Sequence, residues 1–284
     1  MTRRYSRAVA SLRFVIADVF TDVPFAGNQL AVFTDAREIP EERLQALARE
    51  INFSETVFVY PAAGEGHARM RIFTPALELP FAGHPVLGTA FVLAGPLQLD
   101  EIWLETGAGF VPVRLERDGS RIAFGWMRQP QFTFEPYDRG EDLLTVLGVE
   151  ESGLPVELYC QGPGHVMVEL GSPEAVAALR PNADALLEIG SYGIDCFARD
   201  GESWKSRVFV PGHGILEDAA TGSAAGPLAL HLARHGRIGF GDEIVIHQGA
   251  ELGRPSTLHA VARSPEEVEV GGSAVVVARG EFRL

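Results

Sequence analysis

The chain has 284 residues, enough for two domains of about 140 residues each or one large one. Hydrophobic residues make up 46% of it and charged residues 22%, which argues against a disordered, collagen-like or coiled-coil protein. The formal net charge is −14, with 38 acidic against 24 basic residues and no basic stripe, which speaks against nucleic acid and anionic membranes as partners.

The Arg3-Arg4 pair is briefly similar to a twin-Arg export signal. Arg13 and Asp18 interrupt any apolar segment behind it and no small-residue cleavage site follows, so export is not expected. No apolar run approaches the ~20 residues of a membrane span. Arg13 to Phe20 is β-branched and aromatic and reads as a strand; Thr21 to Asn28, with Pro24, Gly27 and Asn28, reads as a loop. Gln29 to Thr34 is a second strand. Pro40 opens a helix in which Leu44, Leu47 and Ala48 recur at helical spacing, and which should end near Ile51-Asn52. Strands follow at Phe53 to Tyr60, with Glu55 near the start, and at His67 to Thr74. Phe81 to Ala90 leads into a helix through about Leu93. Trp103 to Leu115, Ile122 to Met127 and Gln131 to Phe134 read as strands.

Glu141 to Leu147 reads as a short helix, Tyr159 to Leu170 as holding a strand after Gly162-Pro163-Gly164, and Ser172 to Leu179 as a helix with a Ser cap and a first-turn Pro. Ser191 to Ala198 and Trp204 to Val210 read as strands and Thr221 to His235 as a helix. Ile244 to Gln248, Thr257 to Ala262 and Ala274 to Arg279 close the sheet. Cys160 and Cys196 sit in no metal-ligand spacing; this signals no zinc site and fits a reduced cytoplasmic setting, with a disulfide left open. A loose internal repeat pairs Phe73-Thr-Pro75 with Phe209-Val-Pro211, each before a Gly-rich turn and a helix of small residues. It predicts two similar halves with a cleft between them.

Three places could carry chemistry. Glu217-Asp-Ala-Ala-Thr-Gly-Ser-Ala-Ala-Gly226 begins a helix whose first N–H groups lack intrahelical acceptors, and Gly222 would let a carboxylate or phosphate approach them. The alternative is that Thr221 or Ser223 only caps the helix. In Phe81-Ala-Gly-His-Pro-Val-Leu-Gly88, His84 could project into a cleft near a helix start, which would favour neutral imidazole, or be a packing residue. Glu55 shares a strand face with Phe53 and Val57. If that face is buried, its pKa rises toward neutrality, as a general acid/base needs; the alternative is an edge-of-strand carboxylate in solvent. Asp218 could orient His84, share a proton with substrate or serve only as a charge at the helix start. His165, His213 and His247 look isolated and read as structural or exposed. No G-x-S-x-G elbow signals a serine hydrolase.

Asp18-Val-Phe-Thr, Pro24-Phe-Ala-Gly-Asn28, Phe53-Ser-Glu-Thr56, Phe73-Thr-Pro75, Glu78-Leu-Pro-Phe-Ala-Gly-His-Pro-Val-Leu-Gly88, Glu217-Asp-Ala-Ala-Thr-Gly-Ser-Ala and Gln248-Gly-Ala-Glu-Leu-Gly-Arg-Pro-Ser256 occur in this order. Together they resemble the PhzF-like (phenazine biosynthesis) family. The resemblance implies an α+β fold like that of diaminopimelate epimerase: two pseudo-symmetric domains, each a mostly antiparallel barrel-like sheet around a central helix. The expected domains are residues 1–128 plus 270–284 and residues 129–269, with the active site in the cleft and a homodimer as the common assembly. It further implies an isomerase without metal or organic cofactor, acting on a small carboxylate-bearing metabolite. Glu55 would be its acid/base group and His84 and Asp218 its catalytic partners. Asn28, Gly83, Gly222, Ser223 and Ser256 would bind substrate. The related epimerases carry a cysteine at each central helix start; here Gly83 and Asp218 stand there, which disfavours a two-thiol mechanism. An Ala, Ala219, replaces a frequent Pro in the acidic block. An epimerase or hydratase on the same scaffold, or a non-catalytic metabolite binder, are the rival expectations.

Overall fold

A computed structural model describes residues 11–161 and 164–283; the Arg3-Arg4 pair and the Gly162-Pro163 turn lie outside these. The first half runs β1 (Ser11–Val19), β2 (Asn28–Phe33), α1 (Glu41–Ile51), β3 (Glu55–Tyr60), β4 (Ala68–Phe73), β5 (Glu78–Leu79), α2 (Gly83–Leu97), β6 (Glu101–Thr106), β7 (Gly109–Asp118) and β8 (Arg121–Arg128). The second runs β9 (Thr133–Pro136), α3 (Gly140–Leu147), β10 (Glu157–Cys160), β11 (Gly164–Glu169), α4 (Pro173–Ala178), α5 (Ala183–Ile189), β12 (Gly193–Asp200), β13 (Ser203–Phe209), β14 (Glu217–Asp218), α6 (Gly222–Arg234), β15 (Glu243–Gln248), β16 (Ser256–Ser264), β17 (Glu267–Gly272) and β18 (Ala274–Arg283). No helix among the described residues is long and apolar enough to cross a membrane.

The two halves repeat one pairing scheme. β2 runs parallel to β3, as β11 does to β12, and β4 runs parallel to β6, as β13 does to β15. The other ladders are antiparallel, and all strands join one hydrogen-bonded network. β9 opens the second half by pairing with β10, and β18, at the chain's end, returns to pair with β1 of the first half. β8 and β17 pair with each other at the seam, Trp126 opposite Gly271. The loose repeat read from Phe73-Thr-Pro75 and Phe209-Val-Pro211 is therefore a structural one.

Each half wraps its strands around one buried helix. In α2 the run from Gly83 to Val92 is buried on every side, and in α6 the run from Gly222 to Ala233 is. A helix apolar all round needs this sort of enclosure. By contrast α1 buries only Leu44, Leu47 and Ala48. Pro40 stands just outside α1 in extended backbone, and Asn52 ends it in the left-handed conformation at φ 57. Several elements depart from expectation, among them the short strands β5, β10 and β14. Trp103 to Leu115 is a hairpin, because Gly109 takes φ 111 and turns the chain between β6 and β7. α5 forms where no element was expected, capped by the Asn182 side chain accepting from Ala185 N. β17 was also unexpected: its two glycines lie flat against Phe124, Trp126 and Phe20, where a side chain would collide.

Candidate active site

The central helices meet start to start. A Cβ on Gly83 would lie 2.6 Å from the Gly222 carbonyl carbon and 2.7 Å from Ser223 N, so only glycine lets the two backbones touch. Neither helix start receives a side-chain cap. Thr221, one candidate cap, instead donates its hydroxyl to Asp218 Oδ2 at 2.7 Å. Two sets of N–H groups without intrahelical acceptors thus converge on one spot, with both positive dipole ends directed there.

Around this spot Ser54, Glu55, Leu79, Ala82, His165, Val210, Ile215, Asp218, Thr221 and Ser223 enclose a space of about 20 Å³. Far larger grooves lie elsewhere on the surface, one of about 790 Å³ beside Arg69 and Phe110. The chemistry-bearing groups gather in the small space, and size alone does not locate it. Leu79 lines both.

Glu55, the first residue of β3, is buried and is therefore not a solvent-exposed edge carboxylate. Burial first, and the negative charge of Asp218 second, push its carboxyl up to about 8; the Ser54 hydroxyl pulls the other way. Its Oε2 stands 3.4 Å from His84 Nε2, and neither atom has another hydrogen-bond partner among the described residues. Burial drives His84 down to about 3, against a weaker opposing hydrogen bond to the Gln29 backbone. The contact is therefore between a neutral acid and a neutral imidazole, and not an ion pair. On the far side of the ring, Nδ1 stands 3.2 Å from Asn28 Nδ2.

Asp218 is held from three sides. Asn28 Nδ2 donates to its Oδ1 at 2.7 Å, Thr221 Oγ1 to its Oδ2 at 2.7 Å and Ala219 N to Oδ1 at 3.1 Å. Burial nonetheless raises it to about 6. The second Asn28 proton goes to the Ala220 carbonyl at 2.9 Å, and Asn28 Oδ1 accepts from Ser54 at 2.8 Å. Asn28 thereby ties the first half to the acidic turn of the second. Its loop is fixed in turn by Asp18, which accepts from Phe25 N at 2.7 Å and from Arg254 at 2.5 Å.

Glu55, His84, Asp218, Asn28, Gly83, Gly222 and Ser223 all come together here. Ser256 does not: its hydroxyl donates to the Arg254 carbonyl, and it faces a separate groove with Phe20 and Thr21. Three participants were missed. Gln248 accepts from Thr221 N and donates to the Asp218 carbonyl and to Thr221 Oγ1, so it shapes the acidic turn from behind. Ser54 sits beside Glu55 as described. His165, read as isolated, is buried with Nε2 3.0 Å from Ser223 Oγ. Its partner lies 58 residues away along the chain, so no local pattern marks it.

Two wrapped halves meeting at their central helix starts define the diaminopimelate epimerase-like fold. A probable proline racemase from Agrobacterium radiobacter superposes on 95% of this chain and 92% of its own with a TM-score of 0.71, at 14% identity. A phenazine biosynthesis protein of the PhzF family from Bacillus anthracis superposes on 96% of this chain and 99% of its own with a TM-score of 0.83, at 26% identity. The family model for phenazine biosynthesis-like proteins matches residues 17–280. The trans-2,3-dihydro-3-hydroxyanthranilate isomerase of Pseudomonas aeruginosa is 47% identical over 276 residues, covering 96% of this chain and 99% of that one. That of Pseudomonas fluorescens is also 47% identical, over 275 residues. The chain belongs to the phenazine biosynthesis-like (PhzF) family and is an isomerase of that family.

Proposed function

We propose that the enzyme shifts a proton along one face of a small unsaturated carboxylate, with Glu55 removing the proton from one carbon and returning it at another. The observation that carries this is the Glu55 carboxyl, raised by burial and poised against a neutral imidazole where two helix starts converge. An acid/base group works best when its pKa lies near the working pH. His84 and Asp218 steer the substrate, and Ser223 with the N–H groups at Gly83 and Gly222 holds its carboxylate. Gly83 and Asp218 replace the thiols of a two-base racemase, which favours a one-base shift over epimerisation. The 47% identity to the Pseudomonas enzymes makes trans-2,3-dihydro-3-hydroxyanthranilate the first substrate to try. A space of about 20 Å³ admits no ring, so the walls must part to take substrate in and close again to exclude water. The reading takes the halves as residues 1–128 plus 270–284 and 129–269, in a cytoplasmic homodimer.

Incubating this compound in heavy water should give an isomer carrying deuterium at the new C–H. Glu55→Gln should lower turnover by several orders of magnitude while the far-UV circular dichroism stays native. Near-normal turnover by that variant would sink the assignment. An unchanged compound without exchange would point to a binder.

A further inference from the structure

The second half has no acid where the first half has Glu55. In the first half Leu30 pairs with Glu55 and Thr56 with Phe73. In the second His165 pairs with Gly193 and Ile194 with Phe209. Matching Phe73 to Phe209 places Gly193 at the Glu55 position and His165 at the Leu30 position. Likewise Ile72 pairs with Leu79 and Val208 with Asp218, and the second residue of each central helix is His84 or Ser223. The His165 ring occupies the room that a side chain at 193 would need: a Cβ there would stand 2.4 Å from its Nδ1. The ring is 1% exposed, lines the cleft and reaches Ser223. One half thus presents an acid with an imidazole, and the other an imidazole with a hydroxyl.

We propose that His165 is a positioning residue which, through Ser223, holds the substrate carboxylate from the second half's side of the cleft. This rests on the proton-shift reading above. A serine hydroxyl carries one hydrogen and turns freely. With a proton on Nε2, His165 donates to Oγ and leaves the Ser223 hydrogen for an acceptor in the cleft. A hydroxyl aimed this way, beside the first N–H groups of α6, meets an anion with charge-assisted hydrogen bonds. The two halves then divide the work: the first moves the proton and the second fixes the carboxylate.

The test compares wild type, His165→Leu, His165→Gln, Ser223→Ala and the His165→Leu/Ser223→Ala double variant. KM and kcat are measured on trans-2,3-dihydro-3-hydroxyanthranilate, and binding of 3-hydroxyanthranilate and of its carboxamide is measured by calorimetry. His165→Leu should raise KM and weaken binding of the acid about ten- to hundredfold, with kcat within about threefold and the carboxamide unaffected. The glutamine, whose amide donates to Oγ, should recover most of the loss. His165→Leu should add nothing in the Ser223→Ala background. Equal losses for acid and carboxamide, a fall confined to kcat, or additive losses in the double variant overturn the proposal. If the leucine variant does not fold, His165→Asn, whose amide stops short of Ser223, carries the same expectations. A wild type that neither converts the first compound nor binds the acid refutes the function reading instead, and this one with it.

Discussion

Replacing Glu55 by Gln should stabilise the protein at high pH while abolishing its activity. The side chains have the same shape, so packing is kept and only the ability to ionise is lost. An ordinary glutamate releases its proton near 4.5, whereas Glu55 holds it to about 8. Below about pH 4.5 the folded and unfolded chains are both protonated there and the site makes no difference. Between about 4.5 and about 8 the unfolded chain gives up the proton and the folded one keeps it. The native state then binds more protons, so stability falls as pH rises. At about 1.4 kcal/mol per pH unit, the full penalty above pH 8 is on the order of 5 kcal/mol. For a chain of this size that is a shift in Tm on the order of 10 °C. Denaturant unfolding of wild type and Glu55→Gln at intervals from pH 5 to 9 measures it. The two curves should coincide near the acid end and separate progressively, with the glutamine variant the more stable. A difference that stays constant with pH, or a wild type more stable at pH 9, would refute the claim that Glu55 is buried as a neutral acid.

The other sites respond in distinct ways. Asp218→Asn removes the charge that is the second cause of the Glu55 shift, so the rise of kcat/KM with pH should move to lower pH in that variant; a limb that stays put or moves up would detach Asp218 from Glu55. Gly83→Ala drives a methyl about 1 Å inside normal contact with the Gly222–Ser223 backbone, at a cost of about 2–3 kcal/mol and roughly a hundredfold in kcat/KM as the helix starts separate. Unchanged Tm and kinetics there would disprove the close approach. Arg234→Met acts far from the cleft: Glu157 Oε2 takes Arg234 at 2.6 Å, Tyr159 at 2.9 Å, His235 at 3.1 Å and His231 at 3.2 Å. Burial pushes the Glu157 carboxyl up, but its hydrogen bonds to Arg234, His235 and Tyr159 outweigh this and hold it at about 2. That stability is present above the ordinary carboxylate range and is lost as pH falls toward 2. Arg234→Met should therefore cost about 2–3 kcal/mol near neutral pH, discounted for the partly exposed guanidinium, with the gap to wild type narrowing in acid.

Much of the fold was legible because its strong elements follow simple periods. The β-branched runs of β1 to β4 and the small-residue helix α6 sit where composition places them, within a few residues. β17 was hidden because its apolar content is only Val268 and Val270 between acidic residues and a Gly-Gly pair. That pair reads as a loop, yet here it is what lets Phe20 and Trp126 close on the strand. α5 was hidden behind Pro181 and a run of only seven residues. The site was legible only in pieces. Glu55, His84 and Asp218 stood inside recognisable blocks, but the bond from Asn28 to Asp218 spans 190 positions and the contact of His165 with Ser223 spans 58. Local pattern carries no information about such pairs; the strand registers that create them do.

On the proposed reading, the lining of the cleft explains how a chain of net charge −14 would serve an anion without a cation at the site. Among the residues that enclose the space there is no Lys or Arg. A cation placed there would attract the carboxylate, but it would also favour the ionised form of Glu55 and pull its pKa back toward the ordinary range. A base so stabilised is a weaker base. Two converging helix starts act differently. Their partial charges are fixed in backbone, reach only over the first turn and can be aimed at the substrate position, while burial and the negative charge of Asp218 keep the Glu55 carboxyl raised. The close approach of Gly83 and Gly222 brings both dipole ends to one point, and the strand pairing of β2 with β3 sets Glu55 beside it. Anion binding and a raised acid can then share about 20 Å³ without cancelling each other.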